Sequence, residues 1–176
     1  MLITNQDSLR KYKKKYNLFE TSEKIGNKMG DFLQELGRDV RLLEPSAGTG
    51  NLIKIAEKWC DFKPVIDYCE IQEDLCESLS VYNKVGTDFL LYNPGNIYDV
   101  IIMNPPYKNK SAIKHVDHAW DCLKGGGRII VLVDIGSCEY LDNEYCGHVF
   151  HKEEIKKGFK ETNLTTCLYL IHKPLY

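Results

Sequence analysis

Asn104-Pro105-Pro106-Tyr107 closes the apolar run Tyr98-Asp99-Val100-Ile101-Ile102-Met103. The order puts an amide acceptor, a rigid turn and an aromatic ring at the carboxyl end of a predicted strand. Such a site suits a planar amine. The Asn104 side-chain oxygen and the Pro105 carbonyl can accept the two hydrogens of an exocyclic amino group, and Tyr107 offers a face for stacking. Taken only structurally, the same residues are a turn after a buried strand.

A second group of residues precedes this turn. Pro45-Ser46-Ala47-Gly48-Thr49-Gly50 follows the short run Val40-Arg41-Leu42-Leu43-Glu44 and leads into a helical pattern from Asn51 to Trp59. The glycines admit a ligand close to the backbone, but a dinucleotide fingerprint would need a third glycine where Ile53 stands. No Gly-Lys-Ser/Thr follows, so a pyrophosphate cradle is disfavoured. Glu70 lies about twenty residues beyond Gly50, where a carboxylate can accept ribose hydroxyl hydrogens. Asp88 can accept from the amino group of an adenine, with Phe89 or Ile71 packing on the ring. Together these positions fit a nucleoside without phosphates.

Strand and helix patterns alternate along the chain. Ile25, Met29, Phe32, Leu33 and Leu36 fall at helical spacing over 22–36, with Thr21 or Ser22 as N-cap and Glu23 in the first turn. Lys24 and Ile25 occupy the positions where a capping box would want Glu or Gln, and Gly26 and Gly30 lower the propensity, so tertiary packing must support this helix. Strands follow at 64–69, 81–85, 99–103 and 128–134, with helices at 73–79 and from Ala112 to a stop at Gly125-Gly126-Gly127. A last helix is predicted over 153–160 and a last strand over 164–171. Strands apolar on both faces and alternating with helices predict an α/β fold, a mostly parallel Rossmann-like sheet covered on both sides. Ligands of such sheets sit at the strands' carboxyl ends. Glu44 and the glycine loop, Glu70, Asp88 and Asn104 each follow one of the four strand ends.

Composition frames this reading. The chain has 176 residues, 43% hydrophobic and 27% charged, which suits a single domain over 1–176 with a sizeable core. It has no apolar run long enough to span a bilayer and no secretory layout at Met1–Asp7, so a cytoplasmic protein without membrane contact is expected. The seven cysteines are odd in number and form no CxxC pair, which reads as reduced thiols. A formal charge of −2 gives no global attraction to nucleic acid. The segment 1–18 is locally basic, with Arg10, Lys11, Lys13, Lys14 and Lys15 interleaved with Tyr12 and Tyr16, and Lys108 and Lys110 flank the Asn-Pro-Pro-Tyr turn. Both arrangements suit a phosphate backbone, although a charge run is more often a solvated face. Cys138, Cys146, His148 and His151 match no standard zinc spacing, so no metal is expected. His115 and His118 read as solvated, and Trp59 and Trp120 as core.

Leu43-Glu44-Pro45-Ser46-Ala47-Gly48-Thr49-Gly50, then Glu70, then Thr87-Asp88-Phe89-Leu90, then Asp99 to Tyr107, resembles the class I S-adenosylmethionine-dependent methyltransferases, most closely the gamma-type DNA adenine-N6 branch. The match spans about 19–135. Phe19-Glu20-Thr21-Ser22 is similar to that branch's N-terminal cofactor motif, with Ser22 where the branch usually has proline. The resemblance implies that Thr21 meets the methionine carboxylate, that Glu44 to Gly50 (Pro45, Ser46 and Ala47 included) hold the methionine part of S-adenosylmethionine, and that Glu70 holds its ribose, beside Ile71. Asp88 and Phe89 would serve its adenine. Asn104, Pro105, Pro106 and Tyr107 would then hold the amine; Lys108, from its place beside Tyr107, suits a phosphate of the substrate. A base inside a duplex must be rotated out and stacked, and Phe150, in competition with Tyr140 and Tyr145, is expected to close the sandwich opposite Tyr107.

Two departures from the branch bear on function. Its dedicated DNA enzymes carry a target-recognition domain, and none is predicted here, so selectivity would come from a specificity subunit or a short insertion. The sheet is expected to lack one strand of the terminal antiparallel pair, which makes the chain a trimmed core or a fragment. Three functions are thereby open: an adenine-N6 methyltransferase on nucleic acid, with DNA favoured over RNA; a protein glutamine-N5 methyltransferase, whose first motif usually begins Asp-Leu-Gly; and a non-catalytic subunit supporting a partner.

Overall fold

The computed structural model describes residues 20–156 and 164–175. The basic segment 1–18, Phe19, and residues 157–160 of the predicted last helix lie outside the described residues.

Seven strands form one sheet: β1 Arg41–Glu44, β2 Val65–Cys69, β3 Asn83–Gly86, β4 Tyr98–Met103, β5 Leu123–Asp134, β6 Val149–Ile155 and β7 Thr166–His172. Their order across the sheet is β3-β2-β1-β4-β5-β7-β6. The first five run parallel and β7 runs antiparallel to both β5 and β6. The helices are α1 Glu23–Gly30, α2 Asn51–Trp59, α3 Glu73–Cys76, α4 Ser111–Cys122 and α5 Cys138–Glu144. The α/β class and the mostly parallel sheet expected from the sequence are therefore present.

Alternation along the strands explains the layers. Leu42, Val100, Ile102, Ile130, Leu132, Leu168 and Leu170 bury one face against Ile25, Met29, Leu52, Ile53 and Ala56 of α1 and α2. Their neighbours in sequence, Leu43, Ile101, Met103, Ile129, Val131, Cys167 and Tyr169, bury the other against Ala112, Val116, Ala119 and Leu141 of α4 and α5. Strands with both faces covered read as continuous apolar runs, and β4 and β5 do. Inside the sheet, buried Asp67 accepts from Arg41 Nε at 2.7 Å, Asn83 Nδ2 at 2.8 Å and the Tyr98 hydroxyl at 2.9 Å, tying β2 to β1, β3 and β4. Those three donors satisfy a charge that would otherwise be costly to bury.

Four expectations are corrected. The stretch predicted as a helix over 153–160 is, up to Ile155, part of strand β6, so the sheet carries the antiparallel pair it was expected to lack. Helix α1 ends at Gly30 and passes into a 3₁₀ turn at Asp31–Leu33 instead of running to 36. Helix α4 ends at Cys122, ahead of the three glycines, which open β5 instead of stopping the helix. Finally, α5 lies where no helix was predicted. No helix among the described residues is long and apolar enough to cross a membrane.

Candidate active site

The strand order reverses between β1 and β4, and outside their carboxyl ends opens a crevice of about 320 Å³, the place and size expected for a small ligand on such a sheet. Thr21, Glu44, Pro45, Ser46, Ala47, Gly48, Glu70, Ile71, Asp88 and Phe89 line it, as do Asn104, Pro105 and Pro106. These residues come from the tips of four strands and the start of α1. Four carboxylates, Glu20, Glu44, Glu70 and Asp88, face the crevice, and no Lys or Arg is among its described lining residues.

The loop after β1 is shaped by its glycines and by Glu70. Gly48 has φ 52° and Gly50 φ 80°, both left-handed. Glu70 Oε2 accepts from Gly48 N at 2.6 Å and Oε1 from Gln72 N at 2.7 Å, so this carboxylate staples the loop after β1 to the turn after β2. Two carboxylate oxygens offer about four acceptor sites. The two spent on backbone leave room for ligand hydroxyls. Ile71 beside it is 64% exposed and forms an apolar shelf at the crevice. Asp88 Oδ1 accepts from Leu90 N at 3.0 Å, capping the 3₁₀ turn Phe89–Leu91 and seating Phe89 in the wall.

Glu44 is only 1% exposed and Oε1 accepts from Ser46 N at 2.9 Å. Burial pushes its carboxyl up to about 8, helped by the charge of Glu70 and opposed by the Ser46 bond. Glu44 is thus mostly protonated at neutral pH in the ligand-free protein.

The amine end of the site departs from expectation. Asn104 Nδ2 donates to Thr21 Oγ1 at 3.1 Å, and the Tyr107 hydroxyl donates to Asn104 Oδ1 at 2.5 Å. Tyr107 is half-buried, packs against both hydrophobic clusters and does not line the crevice. Burial, then the charge of Asp134, holds its phenol well above the usual range, so it remains a donor. Its hydroxyl therefore holds the Asn104 amide, and its ring is not laid open as a platform. Lys108 is exposed and outside the crevice, in a 3₁₀ turn where Asn109 and Lys110 adopt left-handed φ of 56° and 57°.

Two further residues are placed elsewhere. Gly50 does not line the crevice: it caps α2, and a Cβ there would lie 2.4 Å from Leu79 Cδ2. Phe150 cannot close a sandwich over Tyr107. It stacks on His172, centroids 4.1 Å apart, and the register of β5, β7 and β6 sets His172 beside Arg128, at the opposite end of the sheet from the crevice.

Sequence reasoning missed Gln72, Ser111 and His115, all of which line the crevice. His115 was expected in solvent and is instead buried against Phe89, Nδ1 within 2.8 Å of the Ser111 carbonyl oxygen. Because a carbonyl only accepts, Nδ1 carries the proton there, and burial lowers the imidazole below its ordinary value. His118 is held too, Nε2 at 2.7 Å from the Tyr92 carbonyl oxygen. The signal was available: Ala112, His115, Val116 and Ala119 lie at one helical face, the face that packs on the sheet. Trp59 and Trp120 are only partly buried. Among the described residues no group of three or more His, Cys, Asp or Glu side chains is placed to hold a metal.

No protein-family model matches the chain, and no curated protein is similar to it in sequence. Solved structures are similar in fold. A Listeria monocytogenes protein described as a class I S-adenosylmethionine-dependent methyltransferase superposes with a TM-score of 0.71 at 15% identity, over 98% of this chain and 69% of that one. The type I restriction-modification methyltransferase subunit of Streptococcus thermophilus gives 0.72 at 18% identity, over 88% of this chain and 44% of the subunit. The 23S rRNA methyltransferase ErmE gives 0.63 at 20% identity, over 90% and 72%. The chain therefore shares the Rossmann-like methyltransferase fold, and it spans less than half of the Streptococcus subunit.

Proposed function

We propose that the chain is an S-adenosylmethionine-dependent methyltransferase acting on an exocyclic amino nitrogen, adenine N6 of a nucleic acid, with DNA the favoured substrate. The observation that carries this is the acidic lining of the crevice: four carboxyl side chains and, among the described lining residues, no Lys or Arg, leading to an asparagine amide at the next strand tip. A nucleotide phosphate would be repelled there, whereas a ligand with an ammonium, a sulfonium and ribose hydroxyls is matched in charge and hydrogen bonding. S-adenosylmethionine has these groups and is the expected cofactor of this fold.

When bound, that cofactor supplies an electrophilic methyl: a nitrogen lone pair forms the N–C bond, the C–S bond breaks with its electron pair left on sulfur, and the surplus N–H proton goes to water. The chain's own residues bind and orient. Glu70 accepts ribose hydroxyls, Asp88 takes the adenine amino group, and Ile71 and Phe89 pack about the ring. Asn104 Oδ1 and the Pro105 carbonyl hold the amine, draw its hydrogens out of conjugation and localise the lone pair. Such positioning carries the rate, and no covalent nucleophile is needed.

DNA is preferred because the order of motifs, from the glycine loop through Asp88 to Asn104-Pro105-Pro106-Tyr107, is that of the gamma-type adenine branch. Of the fold neighbours, one is a subunit of a type I restriction-modification system and another is a 23S rRNA methyltransferase. Transfer of labelled methyl to DNA, RNA and protein in parallel, followed by nucleoside digestion, is expected to yield N6-methyladenine from DNA. Label in protein, or on a ring nitrogen, would refute the assignment. Asn104→Ala should abolish transfer and leave cofactor affinity nearly unchanged, and equal loss of both would reassign the asparagine.

A further inference from the structure

Helix α4 sets two histidines against Phe89, ring centroids 5.7 Å away for His115 and 4.7 Å for His118. Each imidazole ties one nitrogen to a carbonyl oxygen: His118 Nε2 to Tyr92 at 2.7 Å, and His115 Nδ1 to Ser111 at 2.8 Å, with Ser111 Oγ also 3.3 Å from that Nδ1. A carbonyl only accepts, so the proton of His115 sits on Nδ1 and Nε2 keeps a lone pair. That lone pair has no partner among the described residues. Nor is it sealed in the interior, where the unpartnered side-chain polar atoms are Gln72 Oε1, Thr166 Oγ1 and His172 Nε2. His115 is buried and lines the crevice, so the crevice is where Nε2 opens.

Asp88 supplies a second acceptor on the same wall. Its Oδ1 takes Leu90 N, and Oδ2 has no partner among the described residues. Asp88 precedes Phe89 in the chain, and its charge acts on the His115 ring, which burial nonetheless holds below its ordinary value and hence neutral at pH 7. Around Phe89 the crevice thus offers a carboxylate oxygen and an imidazole lone pair, with no Lys or Arg among the described lining residues to answer them. An amino group, with two hydrogens, fits a pair of acceptors. A carbonyl oxygen in its place would meet lone pairs only.

We propose that His115 is a specificity-determining residue whose Nε2 accepts one hydrogen of the 6-amino group on the cofactor's own adenine while Asp88 accepts the other, a proposal that rests on reading the crevice as an S-adenosylmethionine site. The pair makes the site read the base and not only the ribose and the methionine. A 6-oxo base presents an acceptor to both groups and leaves them unpaired, and a site built to take a donor rejects such an analogue strongly. The Nδ1 bond to Ser111 fixes the tautomer on which this depends, since a proton on Nε2 would turn the acceptor into a donor.

The test is calorimetry on the full chain with S-adenosylhomocysteine and with S-inosylhomocysteine, which carries the 6-oxo base on the same ribose and amino acid. The wild type is expected to prefer the amino ligand by about a hundred-fold or more. His115→Leu, which suits the apolar face of α4, should weaken S-adenosylhomocysteine roughly ten-fold and leave S-inosylhomocysteine no weaker than before. His115→Gln, whose amide can accept or donate, should hold S-adenosylhomocysteine within about three-fold of wild type and admit S-inosylhomocysteine more readily than wild type does. A readout that needs no variant is the ring ¹⁵N signal of His115 Nε2 in NMR spectra of the wild type, expected to be unprotonated and to shift with S-adenosylhomocysteine far more than with S-inosylhomocysteine. Equal loss of both ligands in His115→Leu, a preference that this variant leaves untouched, or a protonated Nε2 overturns the role of His115 while S-adenosylhomocysteine still binds. No binding heat from S-adenosylhomocysteine in the wild type defeats the reading of the crevice and this proposal with it.

Discussion

Glu44 is the residue whose behaviour most separates a cation site from a phosphate site. Its folded-state value near 8 lies above the ordinary 4.5, so between those values the native state holds more protons than the unfolded one. The stability it contributes is complete below about 4.5 and is lost as pH rises through about 8. A cationic ligand beside it favours the charged form and expels the proton. Titration of S-adenosylmethionine at pH 7 in buffers of different ionisation heat should therefore show release of up to about one proton per site, abolished in Glu44→Gln. A heat independent of buffer would mean that no positive charge comes near Glu44. The sequence placed Glu44 at the site, but its burial beneath Ser46 and beside Glu70 depends on three strands meeting, which no local pattern announces.

Among the elements, the start of α2 is held by a contact the sequence does not advertise. Gly50 needs its left-handed φ of 80°, and Leu79, after α3, fills the space where a Cβ would go. Gly50→Ala combines left-handed strain with overpacking and should cost about 2–4 kcal/mol in urea unfolding, reduced when Leu79→Ala is added. A change below about 0.5 kcal/mol would show that neither constraint operates. Gly30 has a comparable reason: a Cβ there would meet the Trp59 ring at 2.5 Å, so a residue that weakens α1 lets it lie close on α2. Elements with strong periodicity were legible, α2 from Asn51 to Trp59 and strands β1, β2, β4 and β5 among them. Strand β6 was not, because His151-Lys152-Glu153-Glu154-Ile155 has the composition of a helix and is extended only through its ladder to β7. Helix α5 has just seven residues and hides only Cys138 and Leu141, too few to register a period.

At the scale of the whole molecule, one sheet with both faces covered leaves a single place where the strand order reverses, and the acidic crevice lies there. The sequence disclosed that place by setting Glu44, Glu70, Asp88 and Asn104 after successive strands. It did not disclose what happens beyond β5, and Phe150 was misplaced for that reason. Tyr107 packs against both hydrophobic clusters, and Phe150 is carried to the far end of the sheet by the antiparallel return of β6. The central claim, a phosphate-free sulfonium nucleoside over the tips of β1 to β3, is tested most directly by calorimetric titration of S-adenosylmethionine and of ATP into wild type and Glu70→Ala. The account predicts one S-adenosylmethionine site per chain, weakened by about 1.5–3 kcal/mol in Glu70→Ala through loss of charge-assisted bonds, and no heat from ATP. Silence with S-adenosylmethionine, affinity untouched by Glu70→Ala, or ATP bound as tightly would contradict it.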